Sequence, residues 1–548
     1  MHILCKRGLE NDGVFEEDEP IAADEKGGDI TMPVEEDEPI EADESESDSN
    51  GVFEEDEPIA ADEKGGDITM LISEWKNMSN PLTPVLKRCD SQMQYCSYQW
   101  KCCKSADRLS DLPNDILVLI VSRLRLKEAV RTSLLSRRWK NMWTYTAGTL
   151  NFHYSEESSI YEDCLRIYLQ SRTKILDDNG PHIVKMSEFI KLVNHVLSLH
   201  QGPTIEEFEV FVKSCGAISE KYIEKWVEFA LGKRAKRLKL DFSLKGHQMH
   251  GYFSITKPLL RKFKSNLSSL TVLSLKYVEV TSKVIYYVLL KCSALEELHV
   301  AHAGSLLRLK VPGPLPQLKC LKIIRCDCLN WIQIHAINIV SFTYHGRDIP
   351  VTFKTAPRLV NTSLRGLYAS YFVQNIGKYS SYIQNVESLV LEIRSSEKYL
   401  SDEVVPELPI LENLRVLELD LGINSVEYIC NFFAALPRKC PLLTRLSFSI
   451  SREYDAGQYK GCWTKRSSEC LHSQLKVIEL LNFCGRSKGE AEVIYSILSC
   501  LPSPDQVILH PNLLWEFKKP NIKDLSKKLK MMHPKAELIK SSCLRPLF

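Results

Sequence analysis

The strongest constraint on the fold is a series of short strand-like segments that returns eleven times along the chain. FEVF at Phe208, RLKLDF at Arg237, VLSLKYV at Val272 and LEELHV at Leu295 begin it. CLKIIRC at Cys320, SFTYH at Ser341, SLVLEI at Ser388 and VLELDL at Val416 continue it, and RLSFSI at Arg445, VIELLNF at Val477 and QVIL at Gln506 close it. Apolar and polar residues alternate in them, and on a pleated strand that puts the apolar side chains on one face. One apolar position per segment, from Val210 through Leu240, Leu275, Val300 and Ile323 to Tyr344, recurs at 30, 35, 25, 23 and 21 residues. From Leu391 through Leu419, Phe448 and Leu480 to Leu509 the spacings are 28, 29, 32 and 29. Between them lie helical or irregular stretches such as YIEKWVEFALG and VEYICNFFAALPRKCP. This layout predicts a repeat array in which each unit adds one parallel strand to a single sheet. A doubly wound α/β domain, the competing fold, rarely holds so many strands at such even spacing.

A second stretch, 107–152, has a different character: DRLSDLPNDILVLIVSRLRLKEAVRTSLLSRRWKNMWTYTAGTLNF. Leu112-Pro113 opens it, and proline suits a first helical position, where a missing N–H costs nothing. Ile116, Leu117, Ile120, Val121 and Leu124 recur at helical spacing and make one apolar stripe. A further helical pattern follows, with Ala129, Val130, Leu134 and Leu135, and ends in the basic-aromatic run SRRWKNMW. A segment this small cannot bury so many apolar side chains alone, so it needs a neighbour to pack on.

At these residues the chain resembles the F-box family, especially plant F-box proteins with leucine-rich repeats and an FBD domain. The matching elements are DRLSDLP, the Ile116-Leu117-x-x-Ile120 stripe, KEAVRTSLLSRRW and the trailing Trp143. The sequence departs from the pattern at Arg125, where many relatives carry a proline. The resemblance implies docking onto a Skp-type adaptor, and through it onto a cullin ubiquitin ligase. Carried over by position, Leu112, Pro113, Ile116, Leu117, Ile120 and Leu124 face the adaptor, while Leu135 and Trp139 brace the helices. The strand series is similar to leucine-rich repeats where LxxLxL is legible, in LSSLTVLSL and LENLRVLEL. The asparagine ladder of regular repeats is mostly missing, which predicts an irregular array. From about residue 466, a strand, an amphipathic helix (Ala491, Val493, Ile494, Ile497, Leu498) and another strand look like an FBD domain, whose physical role would be to cap the array. The expected fold class is thus α/β: a short three-helix F-box-like segment, an irregular leucine-rich-repeat solenoid and a C-terminal α/β cap, preceded by a disordered acidic tail.

The chain has 548 residues, too many for one ordinary core, and the expected units are a tail (1–70), a linker (71–106), an F-box (107–150), a helical connector (151–200), repeats (201–465) and a cap (466–540). The formal net charge is zero, yet residues 1–70 hold 25 acidic and 4 basic residues, leaving a basic body. The tail repeats itself, with EEDEPIAADE at 16–25 and 54–63 and EEDEPIEADE at 35–44. So acidic a segment, almost free of aromatics, is expected to be disordered, as an interaction tail or a lid over the basic body. No signal-like apolar region and no run of 18 apolar residues is visible, so the expectation is a cytosolic or nuclear protein without a membrane span. The eighteen cysteines then read as reduced thiols.

The sequence shows no phosphate loop, nucleophile elbow or HExxH pair. Cys89, Cys96, Cys102 and Cys103 lack CxxC spacing and a nearby histidine, Cys326 and Cys328 read as packing, and nothing around Cys462 activates a nucleophile. The fourteen histidines do not cluster with cysteine or carboxylate at metal spacings, so no metal or cofactor is expected. The basic runs GKRAKRLK (232–239) and KKPNIKDLSKKLK (518–530) raise nucleic-acid binding as another class, without any recognisable module. The reading that results is a non-catalytic substrate receptor of an SCF-type ubiquitin ligase, with a protein target of unknown identity. A repeat scaffold outside any ligase is the alternative. Target contact is expected from outward strand positions: Lys239, Asp241, Lys276, Glu297, Lys322, Glu418 and Asp420.

Overall fold

The computed structural model describes residues 109, 111–155, 180–214, 218–244, 253–313, 315, 317–394, 409–422, 426–450, 474–483, 488–511 and 522–541. The acidic repeats, the four linker cysteines and Cys462 lie outside the described residues. In chain order the helices are α1 (Asn114–Val121), α2 (Leu126–Arg131), α3 (Gly180–Leu199), α4 (Glu220–Gly232), α5 (Lys257–Lys262), α6 (Ser282–Lys291), α7 (Leu367–Gln374), α8 (Ser380–Ile383), α9 (Val426–Lys439), α10 (Lys488–Cys500) and α11 (Ile522–Met532). The strands are β1 (Thr149–Ser155), β2 (Glu207–Ser214), β3 (Arg237–Leu244), β4 (Phe253–Ser254), β5 (Val272–Lys276), β6 (Val278–Glu279), β7 (Glu297–Ala301), β8 (Arg308–Val311), β9 (Cys320–Ile324) and β10 (Trp331–His335). They continue as β11 (Ser341–His345), β12 (Val351–Thr355), β13 (Asn361–Arg365), β14 (Ser388–Arg394), β15 (Val416–Gly422), β16 (Arg445–Ile450), β17 (Val477–Phe483), β18 (Gln506–Pro511) and β19 (Glu537–Lys540).

Fourteen of these strands form one sheet in the order β1-β2-β3-β5-β7-β9-β11-β13-β14-β15-β16-β17-β18-β19, each hydrogen-bonded to the next repeat's strand. Every pairing is parallel. The register follows the sequence spacing: Val210, Leu240, Leu275, Val300, Ile323, Tyr344, Leu364, Leu391, Leu419, Phe448, Leu480 and Leu509 pair in one row. All twelve are buried, so the row is the spine of the core. Three of its strands were not legible. β13 (NTSLR) splits the 47-residue gap between Tyr344 and Leu391, but Leu364 is its only aliphatic residue. β1 is hidden at the end of the helical stretch, across the expected boundary between F-box and connector, and β19 has only two apolar residues.

The crossovers follow repeat length. Where Val300, Ile323, Tyr344 and Leu364 succeed one another at 23, 21 and 20 residues, the return is made by β8, β10 and β12, which pair in parallel as a second sheet. A five-residue strand spans roughly 17 Å, and matching it with a helix takes about 11 residues. The short units leave little beyond that length once the turns at both ends are counted, so the expectation of helical or irregular crossovers is corrected here to strands. Longer units accommodate α4, α6, α9 and α10. Thr256 and Thr281 cap α5 and α6, accepting from Leu259 N and Val284 N at 3.4 Å. On α3, Met186, Phe189, Val193 and Val196 are buried, with the Phe189 ring edge-on to Trp226 at 6.3 Å. Residues 466–540 add β17, α10, β18, α11 and β19 to the same sheet without a break in strand order.

The 107–152 stretch docks on the first unit of the array through main-chain hydrogen bonds. Gln201 and Gly202 donate to Thr144 O at 2.7 and 3.1 Å, and Glu206 N donates to Ala147 O at 2.9 Å. The buried His200 ring lies 2.9 Å from Thr146 O through Nε2. Within the stretch itself Gly148 packs against the end of α1, where an added Cβ would collide with Ser122 O. Gly148→Ala is therefore expected to lower stability by about 2 kcal/mol or more, since only backbone movement relieves the clash. Gly377→Ala, with nothing within 4 Å of its Cβ position, is the control and should leave the thermal midpoint nearly unchanged. Equal midpoints for the two variants would show that Gly148 is not tightly packed against the end of α1.

Candidate functional site

Two surfaces emerge: the outer face of α1 with the turns after it, and the face of the large sheet opposite the crossovers. Pro113 stands at the N-cap of α1, one position outside the helix, and its carbonyl accepts from Ile116 and Leu117 at 3.1 Å. Successive residues of a helix rotate by about 100°. Leu117 and Val121, four apart, share the inner face and are fully buried. Ile116 and Leu119 lie outside, 42% and 53% exposed. Ile120 is half-buried, and Leu112 and Leu124 are partly buried against the core. The expectation that Leu117 faces a partner is thus corrected: it belongs to the core.

Arg125 holds φ −65°, the value to which proline is locked, and its N–H donates to the Glu128 carboxylate at 3.3 Å. The turn forms with this residue in place. After α2 the chain continues in two 3₁₀ turns, Thr132–Leu134 and Met142–Tyr145, where a third α-helix was expected. The 3₁₀ period of three residues turns Leu134 and Leu135 outward, 46% and 66% exposed. Leu135 therefore does not brace the helices, which is a second correction. Trp139 and Trp143 are buried there instead. The Arg138 guanidinium ties the basic-aromatic run back to α1, donating to Leu112 O and to Asn114 Oδ1 (3.1 Å from Nε). Ile116, Leu119, Leu134 and Leu135 are thus large apolar side chains left in solvent by elements anchored from below.

On the open face of the sheet, Lys239, Asp241, Lys276, Glu297, Lys322 and Glu418 are half-buried and alternate with core residues. Most of them pair with a polar or charged side chain on the same face. Lys239 and Arg237 reach Glu207 at 2.9 and 2.6 Å, Lys276 reaches Asp241 at 3.0 Å, and Arg365 reaches Glu418 at 3.4 Å. Glu297 lies 3.3 Å from His299. Burial works to raise the Glu207 carboxyl, but Lys239 and Arg237 outweigh it and hold the group below its usual range. Asp420 departs from the expected contact role: it is 8% exposed and accepts from the Ser449 hydroxyl at 2.7 Å. Its neighbours Ser447 and Glu479 are also buried and bonded to each other at 2.7 Å.

The run at 232–239 is spoken for in the same way. Lys233 donates to Gly202 O at 2.9 Å, and Lys236 pairs with Glu206 at 3.0 Å. No helix among the described residues is long and apolar enough to cross a membrane. No clustering of histidine with cysteine and carboxylate is visible in the sequence, and here the fold differs. Glu297, His299 and Cys320 bring one ligand atom each to within 4.8 Å of the others.

Comparison with known families follows this division. The F-box domain family matches residues 109–146, and the family described as At1g61320/AtMIF1, LRR domain matches residues 260–512. An F-box/LRR-repeat protein of Arabidopsis thaliana is 26% identical over 455 residues, covering 73% of this chain and 89% of the relative. An F-box/FBD/LRR-repeat protein of the same plant is 29% identical over 424 residues, covering 72% and 90%. Another F-box/FBD/LRR-repeat protein is 25% identical over 361 residues, covering 62% and 74%. The chain therefore carries an F-box followed by a leucine-rich-repeat domain, and its relatives are plant F-box/LRR-repeat and F-box/FBD/LRR-repeat proteins.

Burial lowers the pKa of His200, and burial followed by neighbouring cations lowers His299 and His302 to about 4. A histidine whose folded pKa lies below its unfolded 6.5 contributes stability in full above pH 6.5 and loses it as pH falls toward the folded value. Thermal midpoints are expected to drop as pH falls from 6.5 to about 5.5, before most carboxylates titrate. The drop should be smaller in His200→Gln. A flat profile in that window would contradict the assignment of these rings as neutral.

Proposed function

We propose that this protein is the substrate-recognition subunit of an SCF-type ubiquitin ligase. F-box domains in general bind Skp-type adaptors, and leucine-rich repeats bind targets. In this reading α1 and the following turns dock on a Skp-type adaptor and through it on a cullin, and the open face of the sheet holds a protein to be ubiquitylated. The observation that carries it is the split character of α1. Leu117 and Val121 are fully buried and fix the helix, while Ile116 and Leu119, like Leu134 and Leu135, remain exposed. Exposed apolar side chains on a rigid element fit a partner that buries them. The open face offers a different chemistry, a half-buried array of paired charges suited to specificity rather than bulk affinity. Bond-making falls to other subunits, and the receptor contributes proximity. The protein would act in the nucleus, the cytoplasm or both.

The test is titration of the purified full chain with a purified Skp-type adaptor, beside the double variant Ile116→Asp, Leu119→Asp. Both positions are exposed, so the fold should survive. A single hot-spot side chain contributes about 2 kcal/mol or more, so even if only one of the two is a hot spot the variant should bind about 30-fold more weakly. Absence of binding by well-folded parent protein would remove the ligase role and leave a repeat scaffold.

A further inference from the structure

We propose that Glu297, His299 and Cys320 form a binding site for a divalent zinc-type ion on the open face of the sheet. The three ligands come from two neighbouring strands. Cys320 on β9 is in register with Glu297 on β7, and His299 lies two residues further along β7 on the same face. Strands about 4.8 Å apart, with same-face residues two apart, bring three such side chains over one point.

The distances suit a tetrahedral ion. His299 Nε2 lies 3.3 Å from a Glu297 carboxylate oxygen and 3.6 Å from Cys320 Sγ. With zinc about 2.0 Å from nitrogen and oxygen and 2.3 Å from sulfur, a tetrahedral angle separates N and O by about 3.3 Å and N and S by about 3.5 Å. All three ligand atoms fall within 4.8 Å of one another, so closure takes only a small rotation of the half-buried glutamate. Thiolate, imidazole and carboxylate together select a borderline ion such as Zn2+ over Mg2+ or Ca2+. Three protein ligands leave one position for water or for a donor atom from whatever docks on this face.

Electrostatics around the triad are compatible with loading. Lys322, directly across from His299, and Lys239 add positive charge. A dication with one thiolate and one carboxylate is neutral, so the lysines face no net charge in the loaded site. Burial first, then these lysines, keep the His299 ring neutral, with its nitrogen free to ligate at physiological pH. Burial raises the Cys320 thiol, so it is protonated before the ion arrives. On binding, the S–H bond breaks, the electron pair stays on sulfur as the metal ligand, and one proton passes to solvent. Affinity should therefore fall with falling pH. The site does not depend on the ligase reading.

The experiment titrates the reduced full chain with Co2+ as a spectroscopic stand-in, then with Zn2+. The expected result is a thiolate-to-cobalt charge-transfer band with tetrahedral visible bands, displaced by zinc. Because other cysteines can contribute, the decisive quantity is the difference between parent and Cys320→Ala. That difference should contain the band, and calorimetry in two buffers should show about one proton released per ion bound there. His299→Gln should weaken this component about tenfold or more. Far-ultraviolet dichroism checks folding, with Cys320→Ser as the second variant should the alanine misfold. A parent spectrum that Cys320→Ala and Cys320→Ser leave unchanged, or a parent with no thiolate–cobalt band, overturns the proposal.

Discussion

Everything in the array depends on one repeated interaction, the parallel hydrogen bonding of each strand to the next with apolar residues in register. Phe208, Leu238, Leu273, Leu298, Leu321, Phe342, Leu389, Leu417, Leu446, Ile478 and Val507 occupy equivalent places on their strands and are buried. The equivalent place on β13 is Thr362, buried as well. Because side chains on a strand alternate with period two, a slip of one residue would exchange this layer with the charged face. The register thus sets both the core and the interaction surface in one step. Stability accumulates between neighbours, since each unit buries its apolar layer against the next one.

Within that frame, chain length decides what lies behind the sheet. Units of 25 to 35 residues carry α4 and α6, while the run of three short ones returns through β8, β10 and β12. Phe342 on β11 and Phe353 on β12 meet edge to face at 5.3 Å, so the second sheet fills the layer that helices fill elsewhere. The irregularity expected from the missing asparagine ladder is expressed here as a change of secondary structure. The strand rows run through it unbroken.

The two surfaces differ in how they were freed from the core. On α1 the helix period leaves Ile116 and Leu119 outside once Leu117 and Val121 have been placed inside. On the sheet the strand period leaves every second residue outside, and those residues have found partners across the strands. Glu207 with Arg237 and Lys239, and Asp241 with Lys276, pair neighbouring strands two by two. Such half-exposed pairs each contribute little to stability. They position charge on a rigid plane, and a binding partner must exchange these contacts for its own.

How much was legible follows from the range of each signal. The sequence alone determined eleven strands of the main sheet, their row of core residues and the apolar periodicity of α1. These are local patterns, repeated with a period that hydrogen bonding preserves. It did not determine β13, whose NTSLR is held as a strand by its neighbours on either side, nor β1, which follows a helical segment closely. It left Leu117 and Leu135 on the wrong sides, because a stripe of apolar residues does not say which flank meets the core and a 3₁₀ turn shifts the phase. Tertiary structure alone joined His299 to Cys320, 21 residues away, and turned Asp420 toward Ser449. Those meetings arise from strand register, a relation between distant residues that no window of sequence contains.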